Sequence, residues 1–347
     1  MELKSSQNRA MNRRDFLLAL AAAGTTSLAP SLSQAAPDAL GQPLPKRKLG
    51  ANGPEVTCLG LGGYHIGWTT ESLAQATIEA ALAEGIRFFD TAEAYGPRIS
   101  EERYGKYLTP KYRNSIFLMT KSEAKDAKTA RLAIEGSLSR LKTDVIDLWQ
   151  MHMLTSPEDV NQRLDGGVLE EALKAKKEGK IRHLGFTGHA SPYAHVRMMQ
   201  RLGGDPSPFT ATQFPISPVD AAAQHSFISN VLPAAQEKKI GILAMKTLAD
   251  GRFFASKTMN EKVTWTTADP IVPNVLSIAD CIYFALSLPV SVLITGAEKP
   301  EFVREKAKLV RRFQTLKPAD RQALIEKVTR FAAAGEVEYY KTKPLRG

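Results

Sequence analysis

Four polar side chains of different chemistry stand where apolar runs of the chain end. Asp90 closes the run GIRFFD, and Tyr95 follows it by five positions. Lys121 closes the run IFLMTK, and His152 closes DVIDLWQMH. In a barrel of parallel strands, residues at the C-terminal ends of the strands converge on one face, and that face carries the chemistry. The pattern therefore predicts a catalytic rim made of a carboxylate, a phenol, an ammonium and an imidazole.

The elements that must position these residues alternate regularly along the chain. Eight apolar runs, the first of them VTCLGLGG, are each followed by a helical segment or an insert. Such alternation predicts βαβ crossovers and a parallel sheet, and continuous apolar runs are typical of strands buried on both faces. Eight units in roughly 270 residues match a single-domain (β/α)8 TIM barrel. Helices are expected over residues 72–84, 129–141, 169–178, 193–202, 228–237 and 301–313.

A doubly wound sheet is the competing architecture, and it needs a glycine fingerprint after the first strand. Gly60, Gly62 and Gly63 lack the third glycine of that fingerprint. No helix is expected immediately after them, so the barrel is favoured.

Composition narrows the possible functions. The chain has 347 residues, is 43% hydrophobic and carries a formal charge of +10. Its basic residues are scattered and no nucleic-acid-binding signature is visible, so no nucleic-acid partner is expected. Cys58 and Cys281 fit no metal spacing and are expected to be buried free thiols.

The N-terminal segment reads as an export signal. Arg13 and Arg14 precede a short, weakly apolar stretch, and small residues precede Ala36. This order resembles a twin-arginine signal peptide over residues 1–35, followed by a linker over residues 36–46. The stretch is too short and too polar for stable membrane insertion. We therefore expect the twin-arginine export machinery as a partner and a periplasmic location, with the protein folded around its cofactor before export.

Several segments, in this order along the chain, resemble the aldo-keto reductases, and a bacterial branch of that family in particular. The resemblance covers about residues 47–313, which predicts a reductase barrel over residues 47–315 and a C-terminal helix and tail over residues 316–347. We expect this last part to pack over the barrel exterior or to edge the active site. The segments are GIRFFDTAEAYG, IFLMTKS, DLWQMH, IRHLGFTGH and VSVLITGAEKPEFVREK.

The resemblance implies an NAD(P)-dependent oxidoreductase that reduces an aldehyde or ketone, a small-molecule carbonyl substrate, to an alcohol. Tyr95 would donate the proton, although a phenol has an unperturbed pKa near 10. Lys121 would lower that pKa because a neighbouring ammonium favours the phenolate, and Asp90 would hold Lys121 in place. His152 would donate a hydrogen bond to the carbonyl oxygen.

The same resemblance implies where the cofactor binds, with NADP preferred and NAD left open. Thr187, Gly188 and Gln213 would hold the nicotinamide carboxamide. At the position of the usual stacking aromatic the chain has Met245 beside Lys246, and Phe302 and Lys306 stand where arginine and asparagine are common. The remaining residues assigned to the cofactor's phosphate end are Gly296, Lys299, Arg304 and Glu305.

Two other functions stay open at this stage. One is a non-catalytic nicotinamide-binding redox sensor or subunit. The other is a metal-dependent hydrolase that uses His65, His152 and His189. The substrate itself is not identified, because its contacts are expected from loops over residues 63–69, 154–166 and 250–278.

Overall fold

Eight parallel strands close into a barrel in a computed structural model that describes residues 32–201, 207–249, 275–335 and 337–341. Neighbours in sequence are neighbours in the sheet, and the last strand pairs with the first. The predicted TIM barrel is therefore confirmed. The strands are β3 (Leu59–Gly62), β4 (Phe88–Asp90), β5 (Phe117–Ser122), β6 (Ile146–Met151), β7 (Ile181–Thr187), β8 (Ala211–Pro215), β9 (Gly241–Met245) and β10 (Val292–Thr295).

Helices connect and surround these strands. Six of the described helices begin at a serine, threonine or aspartate whose side chain accepts a backbone N–H, the usual way to satisfy a helix start. In chain order they are α1 (Tyr64–Trp68), α2 (Glu71–Ala83), α3 (Ile99–Tyr107), α4 (Thr109–Tyr112), α5 (Ala127–Leu141), α6 (Pro157–Asp165), α7 (Val168–Lys177), α8 (Pro192–Arg201), α9 (Pro218–Ala222), α10 (Phe227–Asn230), α11 (Leu232–Glu237), α12 (Ile278–Leu286), α13 (Pro300–Arg311) and α14 (Pro318–Ala334).

The core consists of two apolar clusters, one inside the barrel and one between the strands and the surrounding helices. Inside the barrel, Phe88, Met119, Leu148 and Leu243 form one buried cluster. Because successive strand residues point to opposite faces, their neighbours pack outward against the helices in a second, larger cluster. The strands are therefore buried on both faces, which is the reason that their sequences read as continuous apolar runs.

An antiparallel hairpin of β1 (Lys46–Lys48) and β2 (Glu55–Thr57) precedes the barrel and was not predicted. Its residues Leu49 and Val56 belong to the interior cluster, so the hairpin covers the end of the barrel opposite the catalytic rim. The apolar run VTCLGLGG divides between β2 and β3. Reading it as a single strand was therefore wrong, because each hairpin strand has only three residues and β1 consists of charged residues alone, which hid the pairing.

Helix α1 follows Gly63 at once, so the expectation of no helix at this point was wrong. A Cβ on Gly63 would lie 2.5 Å from the carbonyl oxygen of Asp90, which shows that this glycine permits close contact between neighbouring loops. Cys58 and Cys281 are both buried and free, as expected. Among the described residues, no helix is long and apolar enough to cross a membrane. The arginine pair at residues 13–14 lies outside the described residues.

Candidate active site

A buried ion pair lies at the centre of the rim. Asp90 is the last residue of β4 and Lys121 is the fifth residue of the neighbouring strand β5. The Lys121 ammonium contacts Asp90 Oδ1 and donates a second hydrogen bond to the Thr91 carbonyl oxygen at 2.7 Å. Both side chains are almost completely buried. Lysine is seldom buried without such a partner, and here its remaining donor faces the rim.

That donor reaches Tyr95. The distance from Lys121 Nζ to the Tyr95 hydroxyl oxygen is 3.3 Å, and the ammonium also lies 4.7 Å from the centre of the ring. Tyr95 is half-buried, so its hydroxyl group stands between the buried pair and the open mouth of the barrel. The ring of Tyr64, on α1, packs edge-on against it at a centroid distance of 5.6 Å.

Backbone contact between two loops fixes Tyr95. Gly96 has φ +68°, and a Cβ added to it would lie 2.2 Å from the Gly67 carbonyl oxygen. The loop that carries Tyr95 therefore rests directly on α1. Ser100 ties the same loops together, because its hydroxyl group donates to the Gly63 carbonyl oxygen at 2.8 Å. These contacts leave the phenol ring little freedom to turn away from Lys121.

His152 completes the group of four. It follows β6 directly, and its ring packs perpendicular to the Tyr95 ring at a centroid distance of 5.7 Å. Its Nδ1 atom is buried with no hydrogen-bond partner, 3.7 Å from Glu123 Oε1. The structure therefore brings Asp90, Tyr95, Lys121 and His152 together at one end of the barrel.

Burial shapes the protonation of these groups. It raises the pKa of Asp90 and lowers the pKa of Lys121, and in each case the partner's charge opposes the change. Burial, followed by the positive charge of Lys121, holds the pKa of His152 well below its usual range. The imidazole is accordingly neutral at physiological pH. A lowered pKa makes the Lys121 ammonium a better proton source for a neighbouring phenolate.

Two of the predicted nicotinamide contacts lie beside the catalytic group. Thr187 ends β7 and is in register with Gln213 on β8, and both are buried. The Gly188 N–H donates to the Gln213 carbonyl oxygen at 3.4 Å. Gln213 also lowers the pKa of Asp90 through a side-chain hydrogen bond, while its Oε1 atom is buried without a partner. That orphaned oxygen suits the amide protons of a carboxamide, so these residues fit a nicotinamide.

The next predicted contacts lie further round the rim. Met245 ends β9, and Lys246 follows in the left-handed conformation with φ 53°. Gly296 follows β10, and a Cβ there would lie 2.5 Å from the ring of His65, so this glycine admits the histidine. His65 Nε2 lies 3.3 Å from Glu298 Oε1, which links the loops at the β10–β3 seam.

The residues predicted for the phosphate end sit on and before α13. Lys306 is not available to a phosphate, because its ammonium donates to the Gly296 carbonyl oxygen at 2.6 Å and is buried. Lys299 and Arg304 are exposed, as is Glu305. Phe302 is also exposed, with the Lys299 ammonium 5.4 Å from the centre of its ring. An aromatic face beside a cation therefore occupies the place where arginine was expected.

Three features of the site were missed from the sequence. Tyr340, near the C-terminus, packs edge-on against His189 at 5.5 Å and lies under the Lys246 ammonium at 4.7 Å. Gln150 lies inside the barrel with both amide atoms buried and unpartnered. Arg163 donates to the His152 carbonyl oxygen. A polar residue within an apolar strand was a usable signal for Gln150, whereas nothing local marked the other two.

The histidines weighed for a metal-dependent hydrolase do not form a metal site. His65 faces Glu298, and His189 faces Tyr340. Within the described ranges, no group of three histidine, cysteine, aspartate or glutamate side chains is placed to hold a metal ion.

Comparison with known proteins shows the family. A model described as the aldo/keto reductase family matches residues 58–333. The chain is 30% identical over 251 residues to a 6-dehydroglucose reductase from Novosphingobium aromaticivorans, which covers 66% of this chain and 78% of that protein. It is 29% identical over 232 residues to a probable aldo-keto reductase from Glycine max, and that match covers 62% of each chain. The alignment therefore spans less than two thirds of the Glycine max protein.

Solved structures share the fold. An aldo-keto reductase from Bacillus halodurans in its holo form superposes with a TM-score of 0.66 at 23% identity, covering 81% of this chain and 95% of that one. A glycerol dehydrogenase from Gluconobacter oxydans gives a TM-score of 0.62 at 23% identity, covering 82% and 95%. The family match, together with the barrel, shows that the chain belongs to the aldo/keto reductase family, whose members reduce small carbonyl compounds with nicotinamide cofactors.

Proposed function

We propose that this protein reduces an aldehyde or ketone to an alcohol with a hydride from a reduced nicotinamide dinucleotide, and that Tyr95 donates the proton. The observation that carries the assignment is the position of the Tyr95 hydroxyl group. It lies 3.3 Å from a buried ammonium, beside a neutral imidazole, at the mouth of the barrel. A nicotinamide-binding sensor would need the dinucleotide contacts but not this buried Asp90–Lys121 pair.

The proton steps follow from the geometry. When bound, the nicotinamide supplies the hydride. His152 orients the carbonyl oxygen as a neutral hydrogen-bond donor. Tyr95 transfers its proton to that oxygen as negative charge develops there, Lys121 then reprotonates the phenolate, and a proton from solvent restores the ammonium. Asp90 keeps Lys121 in place throughout. General acid catalysis of this kind contributes roughly 10²–10⁴-fold to the rate.

The residues that would hold the nicotinamide carboxamide are Thr187 and Gln213, on adjacent strands beside the proton donor. The orphaned Gln213 Oε1 would accept from the amide, and the Thr187 hydroxyl group would donate to its carbonyl oxygen. Holding the reacting carbon in one place supplies the proximity that the reaction needs.

We favour NADP over NAD because exposed cations stand at the start of α13. Lys299 precedes the helix and Arg304 lies one turn along it, and both can approach a phosphate group. A helix N-terminus adds a favourable field for an anion. Fluorescence titration with NADPH and NADH tests this preference. Equal affinity for the two cofactors, unchanged in Lys299→Gln, contradicts it.

We also infer that the protein is exported by the twin-arginine route and acts in the periplasm. The support is the arginine pair at residues 13–14, the weakly apolar stretch after it and the small residues before Ala36. Asp38, just past the expected cleavage point, pairs with the buried side chain of Arg87 at 2.7 Å. Cleavage before Ala36 would leave this attachment to the barrel intact.

The assay for the function uses purified protein. Retention of a nicotinamide cofactor is measured first by absorbance and fluorescence. NADPH oxidation is then followed with aliphatic and aromatic aldehydes, ketones and oxidised sugars, the last because a relative is named as a dehydroglucose reductase. We expect oxidation with at least one of these classes. A protein that binds NADPH but oxidises it with none of them contradicts the proposed function.

A further inference from the structure

The loop that carries His152 has a backbone conformation that needs support. It leaves β6 at Met151 and turns at Met153, which has φ +57°. A residue with a side chain rarely adopts this left-handed conformation, because its Cβ atom crowds the backbone there. The neighbouring strands hold the two sides of the turn. The His152 N–H donates to the Ser122 carbonyl oxygen at 2.8 Å, and the Leu154 N–H donates to the Thr187 carbonyl oxygen at 2.9 Å.

Arg163, on α6, supports the turn through its side chain. Its guanidinium group donates to the His152 carbonyl oxygen at 2.7 Å and to the Met153 carbonyl oxygen at 3.2 Å. The side chain is only 1% exposed. One rigid, planar donor group therefore binds two consecutive carbonyl groups, the first of which belongs to the residue that carries the imidazole. A flexible ammonium could not hold both in one fixed geometry.

Asp159, one turn earlier on α6, fixes the guanidinium group in turn. Arg163 donates to Asp159 through Nε at 3.0 Å and through Nη2 at 3.1 Å. The same carboxylate accepts the Thr155 N–H at 3.1 Å, so it also holds the far end of the loop. Both ends of the turn are thereby attached to one buried ion pair. We call the pair of Asp159 and Arg163 the α6 clamp.

Stability alone does not explain this arrangement. Burying an ion pair removes two charges from water, and well-packed apolar residues of similar volume are often as stable or more stable. What the clamp adds is a fixed place for the backbone of His152. The Arg163 charge also contributes, after burial, Lys121 and His189, to the low pKa of His152.

We propose that Arg163, held by Asp159, is a positioning residue for the reductase reaction: the α6 clamp fixes the His152 imidazole at the place where it meets the carbonyl oxygen of the substrate. This inference rests on the proposed function. It predicts that loosening the clamp lowers kcat while leaving the nicotinamide contacts on β7 and β8 unchanged.

The chain contains a matched control for the test. Arg113 makes a similar arrangement at the opposite end of β6, where its Nη2 atom donates to the Val145 carbonyl oxygen at 2.9 Å and its Nη1 atom lies 2.9 Å from Asp147 Oδ2. Both arginines hold a carbonyl group next to the same strand, and both pair with an aspartate. They differ in that only Arg163 is next to His152.

The experiment compares Arg163→Lys with Arg113→Lys in the full-length protein. Circular dichroism and NADPH affinity should match the wild type in both. We expect Arg163→Lys to lower kcat by roughly 10- to 100-fold, because displacing a catalytic group by about 1 Å has effects of that size. The imidazole NMR signals of His152 should also shift or broaden. Arg113→Lys should leave kcat and these signals unchanged.

A second variant covers the possibility that Arg163→Lys does not fold. Asp159→Val combined with Arg163→Met replaces the ion pair by apolar side chains of comparable size, a change that folded proteins often tolerate. This double variant should bind NADPH and show the same loss of kcat and the same change in the His152 signals. A folded clamp variant with wild-type kcat and wild-type His152 signals overturns the proposal.

Failure of this inference can be distinguished from failure of the proposed function. If the wild type reduces no carbonyl compound, the reductase assignment fails, while the NMR signals of His152 still report on the clamp. If the wild type is active and the clamp variants are equally active, only the positioning role of Arg163 is lost.

Discussion

Tyr95 is the side chain on which the proposed reaction depends most directly. Its hydroxyl group is the only part of the rim that is both half-buried and within reach of the Lys121 ammonium among the residues the structure describes. The ring itself packs between Tyr64 and His152. Removing the hydroxyl group should therefore change the chemistry and leave the packing intact.

Tyr95→Phe should abolish carbonyl reduction while cofactor binding stays close to that of the wild type. The phenylalanine ring keeps the contacts with Tyr64 and His152, but the hydroxyl group that passes the proton to the carbonyl oxygen is lost. The measurement is single-turnover oxidation of bound NADPH with an aldehyde acceptor, and NADPH affinity is the control. A rate within a factor of a few of the wild type contradicts the assignment.

Lys121→Met should lower the rate strongly and displace the pH profile. An adjacent ammonium favours the phenolate, so its loss should move the limb that reports the phenol to higher pH. It also leaves the buried carboxylate of Asp90 without its cation, which destabilises the fold. Lys121→Met combined with Asp90→Asn therefore serves as the folded comparison. If the pH–rate profiles of both variants match that of the wild type, the Asp90–Lys121 pair does not set the pKa of Tyr95.

Loops and short helices position these side chains. The loop of Tyr95 shows how little space its backbone leaves for a side chain at the contact with α1. Gly96 and Gly67 bring two backbones into direct contact, so the loop can settle on α1 only where neither residue has a side chain. The rim is therefore positioned by backbone packing as well as by the strands.

Gly96→Ala should lower both stability and kcat, whereas Gly179→Ala should lower stability alone. Both glycines have positive φ, +68° and +80°, so alanine costs about 1 kcal/mol or more at either position. Only at Gly96 would the new Cβ also collide with backbone, 2.2 Å from the Gly67 carbonyl oxygen; at Gly179 it meets nothing within 4 Å. Urea unfolding and kcat are measured together. Equal kcat in the two variants would mean that this backbone contact does not position Tyr95.

The last described segment, residues 337–341, lies at the barrel mouth. Tyr340 reaches His189 and Lys246, while Lys341 donates to Asp220 at 2.6 Å and to Glu338 at 2.5 Å. Asp220 is completely buried at the start of α9. Two carboxylates therefore share one ammonium where the chain folds back over the site.

The attachment of this segment should depend on pH. Burial, followed by the charge of Asp220, raises the pKa of Glu338 to about 7 from an ordinary value of 4.5. A raised pKa in the attached state means that attachment is strongest at low pH and weakens as the pH rises through about 7. The protection of residues 337–341 against hydrogen exchange, relative to the intrinsic exchange rate at each pH, should therefore be higher at pH 5.5 than at pH 8.

Glu338→Gln is the control for that measurement, because glutamine keeps the size of the side chain and does not titrate. The difference in exchange between the two pH values, corrected for the intrinsic rate, should disappear in this variant. A difference of the same size in Glu338→Gln would assign the pH dependence to another group.

The proposed export would act on the protein as a folded unit. Replacing Arg13 and Arg14 together by lysine should leave an unprocessed form in the cytoplasm, because the twin-arginine route recognises the guanidinium pair and not charge alone. Fractionation and N-terminal sequencing provide the measurement. Normal export and cleavage of the double-lysine variant would point to the general route for unfolded chains, and cofactor loading before export would no longer follow.

Much of the architecture could be predicted because it depends on local patterns. Continuous apolar runs alternating with helical segments are sufficient for a parallel barrel, and a residue at the end of such a run must lie on the C-terminal rim. Asp90, Lys121 and His152 were located in this way. Helix limits were close for the same reason: the helix expected over residues 72–84 spans Glu71–Ala83 and begins at the capping residue Thr70.

Contacts between distant parts of the chain could not be predicted. The β1–β2 hairpin is three residues per strand, too short for a periodic pattern to show. Lys306 stands, with Phe302, where arginine and asparagine are common in the family, and nothing local showed that the fold directs its ammonium to the Gly296 carbonyl oxygen. Tyr340 and His189 are far apart in the chain and meet only because the segment after α14 folds back.

The amino-acid sequence alone therefore determined the barrel, the family resemblance and the residues at the strand ends, because burial and strand periodicity act over a few neighbouring residues. Only the tertiary structure decided that the Tyr95 hydroxyl group lies within reach of Lys121, that Arg163 supports the loop of His152, and that residues 337–341 reach the mouth. Those relations depend on angles and distances between elements, and a change of one or two ångströms decides whether a hydrogen bond forms.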